Sequence, residues 1–206
     1  MAERSRPNGL SSQMERTRSA IVAAARELAD TGAEITMPQV AAEARVSEAT
    51  AYRYFPDLLS LLRTAVLAED LVAVLRSATH SDDPVERIGQ AAEILGRAVL
   101  RRQGAVRVIV ASTIAKPSAA RARPAHRFGL IEHALAPWAD RCGSAGHADV
   151  EQLVRGLALV ISAESLFALI DLCGLTPDDA IASMVTTARQ MTAAAVAAIP
   201  LTCAAD

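Results

Sequence analysis

The stretch "VSEATAYRYF", Val46 to Phe55, concentrates side chains that can make contacts. The whole chain has two Tyr, three Phe and one Trp in 206 residues, and both Tyr and one Phe fall between positions 52 and 55. A core could use rings anywhere, so the clustering points to a local task. Ser47 suits the N-cap of a helix, with Glu48 favourably placed in its first turn. At about 100° per residue, Ala49, Tyr52 and Arg53 share one face, with Glu48 and Thr50 on its rims. Ala51 and Phe55 lie on the opposite face, toward Val40, Ala41, Ala44 and Val46. Tyr54 falls between, its ring able to pack inward while its hydroxyl reaches out. Such an outward face with one ring and one cation is suited to recognition.

The elements around it must hold that face in place. From Glu15 to Ala29, Ile21, Ala25 and Leu28 recur at helical spacing, after an expected mobile tail over 1–13. "TMPQ", Thr36 to Gln39, has the form of a capping box with Pro38 in the tolerated first turn. It starts a short helix that ends near Ala44, and Pro56 keeps the next one short as well. Two short helices joined by "ARV" fit a helix-turn-helix, whose second helix enters the major groove of DNA. Further helices are expected over 57–79, from Asp82, through "AVRVIVASTIA", through "HRFGLIEHALAPWADR" with a kink at Pro137, over 148–173 and over 177–198. No segment reads as a strand, so the chain is predicted to be all-α with about nine helices.

Composition narrows the class. Ala, Leu, Val and Ile dominate the 51% hydrophobic fraction, which favours helices. No apolar run spans a bilayer, because Glu164 and Pro200 interrupt the best two, and no signal peptide is visible. Three widely spaced cysteines, Cys142, Cys173 and Cys203, argue against a disulfide framework or zinc site, and the expected setting is cytoplasmic. The net charge of −2 carries no bulk signal for nucleic acid, so any DNA reading rests on geometry. An enzyme would need catalytic motifs, and no Gly-rich phosphate loop, H-E-x-x-H, C-x-x-C or G-x-S-x-G is present. No catalytic or metal site and no cofactor is expected.

The string "IVAAARELADTG…ITMPQVAAEARVSEATAYRYF…LLSLL" resembles the N-terminal domain of TetR-family transcriptional repressors over about Arg18 to Leu62. The resemblance implies a DNA-binding domain over 1–56 and an effector-binding and dimerisation domain over 57–206. It implies that Thr50 and Tyr54 touch phosphates while Glu48, Ala49 and Tyr52 lie against bases or sugar, with Thr36, Ser47 and Arg53 completing the interface. Two positions depart from the family pattern. Arg45 stands where Gly usually occupies the inter-helix turn, and Leu58 stands where a phosphate-binding Lys often follows the "YF" turn. Arg45 or Arg53 could replace the missing phosphate contact.

The resemblance also implies a small-molecule effector that releases DNA. Its candidate pocket comprises Leu95, Val99, Ser112, Phe128, Ile131, Trp138, Glu164 and Phe167. The helix "LVRGLALVISAESLFALIDL" is apolar nearly all round and needs cover on several sides, so a homodimer is expected. Its interface candidates are Leu157, Ile161, Leu169, Met184, Val185 and Met191. Glu164, the only charge between Arg155 and Asp171, needs a partner, either an Arg of the fold or a ligand donor. From Arg97 to Arg127 run eight basic residues and no acid, read as a surface paired with acids such as Glu69 and Asp70. The expected function is a repressor released from a palindromic operator by an effector. The alternatives are a constitutive DNA-binding dimer, a helical partner-binding module, or a small all-α enzyme.

Overall fold

The structure, a computed structural model, describes residues 9–66, 69–115, 126–143 and 146–199. Every regular element among them is a helix. In chain order these are α1 (Gly9–Asp30), α2 (Met37–Glu43), α3 (Glu48–Tyr54), α4 (Leu58–Val66), α5 (Leu71–Ala78) and α6 (Pro84–Arg101). Then come α7 (Gln103–Ala115), α8 (His126–Cys142), α9 (His147–Val160), α10 (Ala163–Asp171) and α11 (Pro177–Ala198). Among the described residues the total is eleven, because two of the nine expected helices are each broken.

Both breaks have a local cause. In the segment expected as 57–79, Asp70 N-caps α5 by accepting from Ala73 N at 3.0 Å, which stops continuous helix from α4. In the segment expected as 148–173, Ser162 Oγ accepts from Ser165 N at 3.1 Å and donates to the Leu159 carbonyl at 2.9 Å. That cap starts α10 at a bend of 43° to α9. The first helix, in contrast, begins earlier than the periodicity indicates, at Gly9. The expected tail otherwise falls on residues 1–8, outside the described residues, as do the basic loop residues Lys116 to Pro124.

Contacts divide the chain into two compact units. The first comprises 9–66 and 101–115, and the second 69–100 with 126–143 and 146–199. In the first, α4 and α7 join α1 to α3: Leu61, Leu62, Ala65, Val66, Ala105 and Ile109 share one core with Ile21, Ala25, Val40, Ala51 and Phe55. Arg26 Nε donates to the Ala65 carbonyl at 3.1 Å, and Arg102 is paired with Asp30. Hydrophobic burial here makes the small helices possible, since seven residues are too few to be helical alone.

In the second unit, α8 turns Leu130, Ile131, Ala134, Leu135 and Trp138 inward, all of them buried. Pro137 lies inside it without breaking it. Proline has no N–H, so the His133 carbonyl four residues earlier loses its helical donor. Buried Arg87 of α6 supplies one: its Nη2 donates to His133 O at 2.9 Å and its Nε to Ala134 O at 2.8 Å. The Glu164 carboxylate finds its partner in Arg127, at 3.2 Å from α8. No single described helix is long and apolar enough to cross a membrane; the bent pair α9–α10 is, by length and composition alone.

Candidate nucleic-acid interface

The two short helices owe their boundaries to side-chain and backbone caps. Thr36 Oγ1 accepts from Gln39 N at 3.5 Å while Gln39 Oε1 accepts from Thr36 N at 2.9 Å, closing the capping box at the start of α2. The end of α2 is a Schellman motif: Val46 N donates to Ala41 O at 2.9 Å and Arg45 N to Ala42 O at 3.1 Å. That motif needs a left-handed residue between cap and exit, and Arg45 takes it with φ of 55°. Ser47 then caps α3, accepting from Thr50 N at 3.2 Å.

These caps set the phase of α3, and the phase agrees with the sequence wheel. Ala51 and Phe55 are buried, Phe55 to 3% exposure. Glu48, Ala49 and Arg53 are exposed, and Tyr52, at 48%, is the one exposed large ring of the first unit. Thr50 and Tyr54 are half-buried, the guanidinium of Arg53 standing 5.5 Å over the Tyr54 ring. Thr36, Arg45 and Ser47 are exposed at the helix ends beside this face. Leu58 is partly buried against the shared core, so the position that often carries a phosphate-binding Lys serves packing instead. Arg18 was given no part by the sequence reading. Its guanidinium lies 5.1 Å from the Phe55 ring, placing an exposed cation by the end of α3. The Arg-rich composition around Arg16 and Arg18 was the available signal.

Such a face can lie in a major groove, since α3 projects Tyr52 and Arg53 outward while α2 braces it from behind. The fold and this face define a helix-turn-helix DNA-binding protein. Residues 20–63 match the family model described as bacterial regulatory proteins, tetR family. The N-terminal domain is therefore that of a tetR-family regulator, and the protein is a DNA-binding transcriptional regulator. No curated protein matches the chain.

Arg45 offers a direct test of how the turn is built. Left-handed backbone costs a non-glycine residue about 1–2 kcal/mol, and Gly recovers that but loses about 0.4–1 kcal/mol through unfolded-state entropy. Arg45→Gly is expected to leave the urea midpoint equal or slightly higher. If its side chain meets a phosphate, the slope of log affinity against log salt falls by about one. An unchanged slope and affinity would remove Arg45 from the interface.

The remaining site candidates are dispersed. Leu95, Val99, Ile131, Trp138 and Phe167 are buried in the second unit, where Phe128 is half-buried and Glu164 is held by Arg127. Ser112 belongs to the first unit, where its hydroxyl donates to Ile109 O at 2.7 Å. Of the interface candidates, Leu157, Ile161 and Met184 are enclosed by the chain's own second unit. An enclosed side chain has no surface left for a second copy, so these three are corrected to core. Leu169, Val185 and Met191 keep partial exposure, and Leu159 and Leu172, which the sequence reading passed over, are exposed. The basic stretch is partly paired, Arg97 with Asp178 and Glu93, and Arg102 with Asp30.

Proposed function

We propose that the protein is a homodimeric repressor that holds a palindromic operator through Tyr52 and its neighbours and releases it when a small molecule occupies the second unit. The observation that carries this reading is the division of α3 into a buried Ala51–Phe55 side and an exposed Tyr52–Arg53 side. In this reading Glu48, Ala49 and Tyr52 meet bases or sugar, while Thr36, Arg45, Ser47, Thr50, Arg53 and Tyr54 serve phosphates. A second copy covers Leu159, Leu169, Leu172, Val185 and Met191, which removes apolar surface from water. Two α3 helices related by a two-fold axis then read half-sites about one helical turn or more apart.

Light scattering at micromolar concentration is expected to show a dimer. Selection from a random duplex pool is expected to return a palindrome. A clean monomer, or enriched sites without two-fold symmetry, would contradict the proposal. Effector and operator must then oppose each other reciprocally, each weakening the other's binding by the same factor, about 1–3 kcal/mol.

A further inference from the structure

Two polar features inside the second unit lack what a buried group ordinarily has. The first is the indole of Trp138, the largest fully buried side chain at 1% exposure, whose Nε1–H meets no acceptor. A buried donor without a partner forfeits the hydrogen bond it made with water, so such groups are rare in folded proteins. The second is Arg87, a guanidinium with 8% exposure. It donates to three carbonyls, those of Ser81, His133 and Ala134. Among the described residues it pairs with no carboxylate. A guanidinium carries five N–H bonds, so about two remain unused by the protein.

The two features share one stretch of α8. Arg87 docks on the carbonyls of His133 and Ala134, and Trp138 stands one turn further along, at i+4 from Ala134. Helical side chains lean toward the N-terminus, which carries the indole of Trp138 back toward the turn where Arg87 sits. His133 is held below the ordinary histidine range by burial, then by the charges of Arg87 and Arg76, and stays a neutral ring. The nearby Cys142 thiol, donating to Trp138 O at 3.4 Å, is pushed up by burial and stays neutral too. The same two helices carry buried aliphatic side chains, Leu130, Ile131 and Leu135 on α8 and Ile88 and Ala91 on α6.

We propose that this interior takes a small apolar carboxylic acid, its carboxylate accepting from Trp138 Nε1 and from the spare N–H bonds of Arg87. The acid supplies the missing counter-charge and the missing acceptor together, and its hydrocarbon part meets the aliphatic wall. A neutral amide or alcohol supplies an acceptor but no charge, and a cation is repelled. This names the chemical class of the effector in the reading above, and it rests on that reading only for the consequence at DNA.

The experiment uses the full chain with octanoate and benzoate against octanamide and benzamide. Trp138 is the sole tryptophan, so its emission reports on the site directly. The acids are expected to shift that emission saturably and raise the melting temperature. The amides are expected to bind about tenfold more weakly, as befits loss of a charge-assisted hydrogen bond. Trp138→Phe keeps a large ring and is expected to melt close to the parent, while calorimetry shows octanoate affinity reduced about tenfold. Arg87→Lys keeps the charge without the fork and is expected to weaken octanoate too; if it fails to fold, Trp138→Phe decides. Equal binding of acids and amides, no effect of octanoate on emission and melting, or unchanged octanoate affinity in Trp138→Phe each overturns the proposal. Octanoate binding by a chain that binds no DNA would instead sink the regulator reading and leave this one standing.

Discussion

Phe55→Ala is expected to cost the first unit about 3–5 kcal/mol, the ordinary toll of truncating a large core ring. The ring is 3% exposed and packs in the core that α1, α2, α3, α4 and α7 share, with Arg18 closing over it. Its loss opens a cavity under the recognition helix, so DNA binding disappears together with structure. Tyr52→Ala, three residues away, is expected to behave oppositely. That ring has 48% exposure, so its removal changes stability by about 0.5 kcal/mol or less. Operator affinity is expected to fall by about 1–3 kcal/mol, in line with loss of one specific contact. Chemical denaturation and fluorescence anisotropy on labelled operator separate the two outcomes. Should Tyr52→Ala destabilise the protein as much as Phe55→Ala, the orientation of α3 described above is wrong.

Gly104→Ala is expected to be the most damaging single-methyl change outside the recognition helices. A Cβ at that position would overlap the Ala33 carbonyl oxygen, with Ala33 C at 2.7 Å and Gly32 O at 3.1 Å. These are backbone atoms of the turn between α1 and α2, so no side chain can rotate away. Either α7 retreats from the shared core or the turn that leads into the capping box shifts. Overpacking of this kind costs about 1–3 kcal/mol, and the upper end is expected here. Gly129→Ala is the matched control. Its added Cβ meets nothing within 4 Å inside helix α8, so the better helix propensity of Ala should stabilise by about 0.5–1 kcal/mol. Thermal melts of the two variants should therefore move in opposite directions. A Gly104→Ala protein as stable as the parent would show that α7 does not press on that turn.

Much of this protein was legible in its sequence because the relevant physics is local. Thr36 with Gln39, and Ser47 with Thr50, are interactions three residues apart, so a linear reading found both caps. The spacing of Ala51 and Phe55 against Tyr52 and Arg53 is a property of one short helix, and it predicted which side chains are buried and which exposed. Even the left-handed Arg45 could be anticipated, since the turn after α2 admits few backbone paths. Tertiary structure decided what depends on distant partners. Hydrophobic periodicity records that a helix is buried but not by what, so Leu157, Ile161 and Met184 were read as a surface for a second copy when their own unit encloses them. The same blindness ran α9 and α10 together, because Ser162 is as compatible with a helix interior as with a cap until its hydroxyl's partners are known. It also left Arg87 unnoticed. A lone Arg on an amphipathic helix reads as surface, and only the fold sets it against the carbonyls of His133 and Ala134, 46 and 47 residues away in sequence, the first of them left open by Pro137.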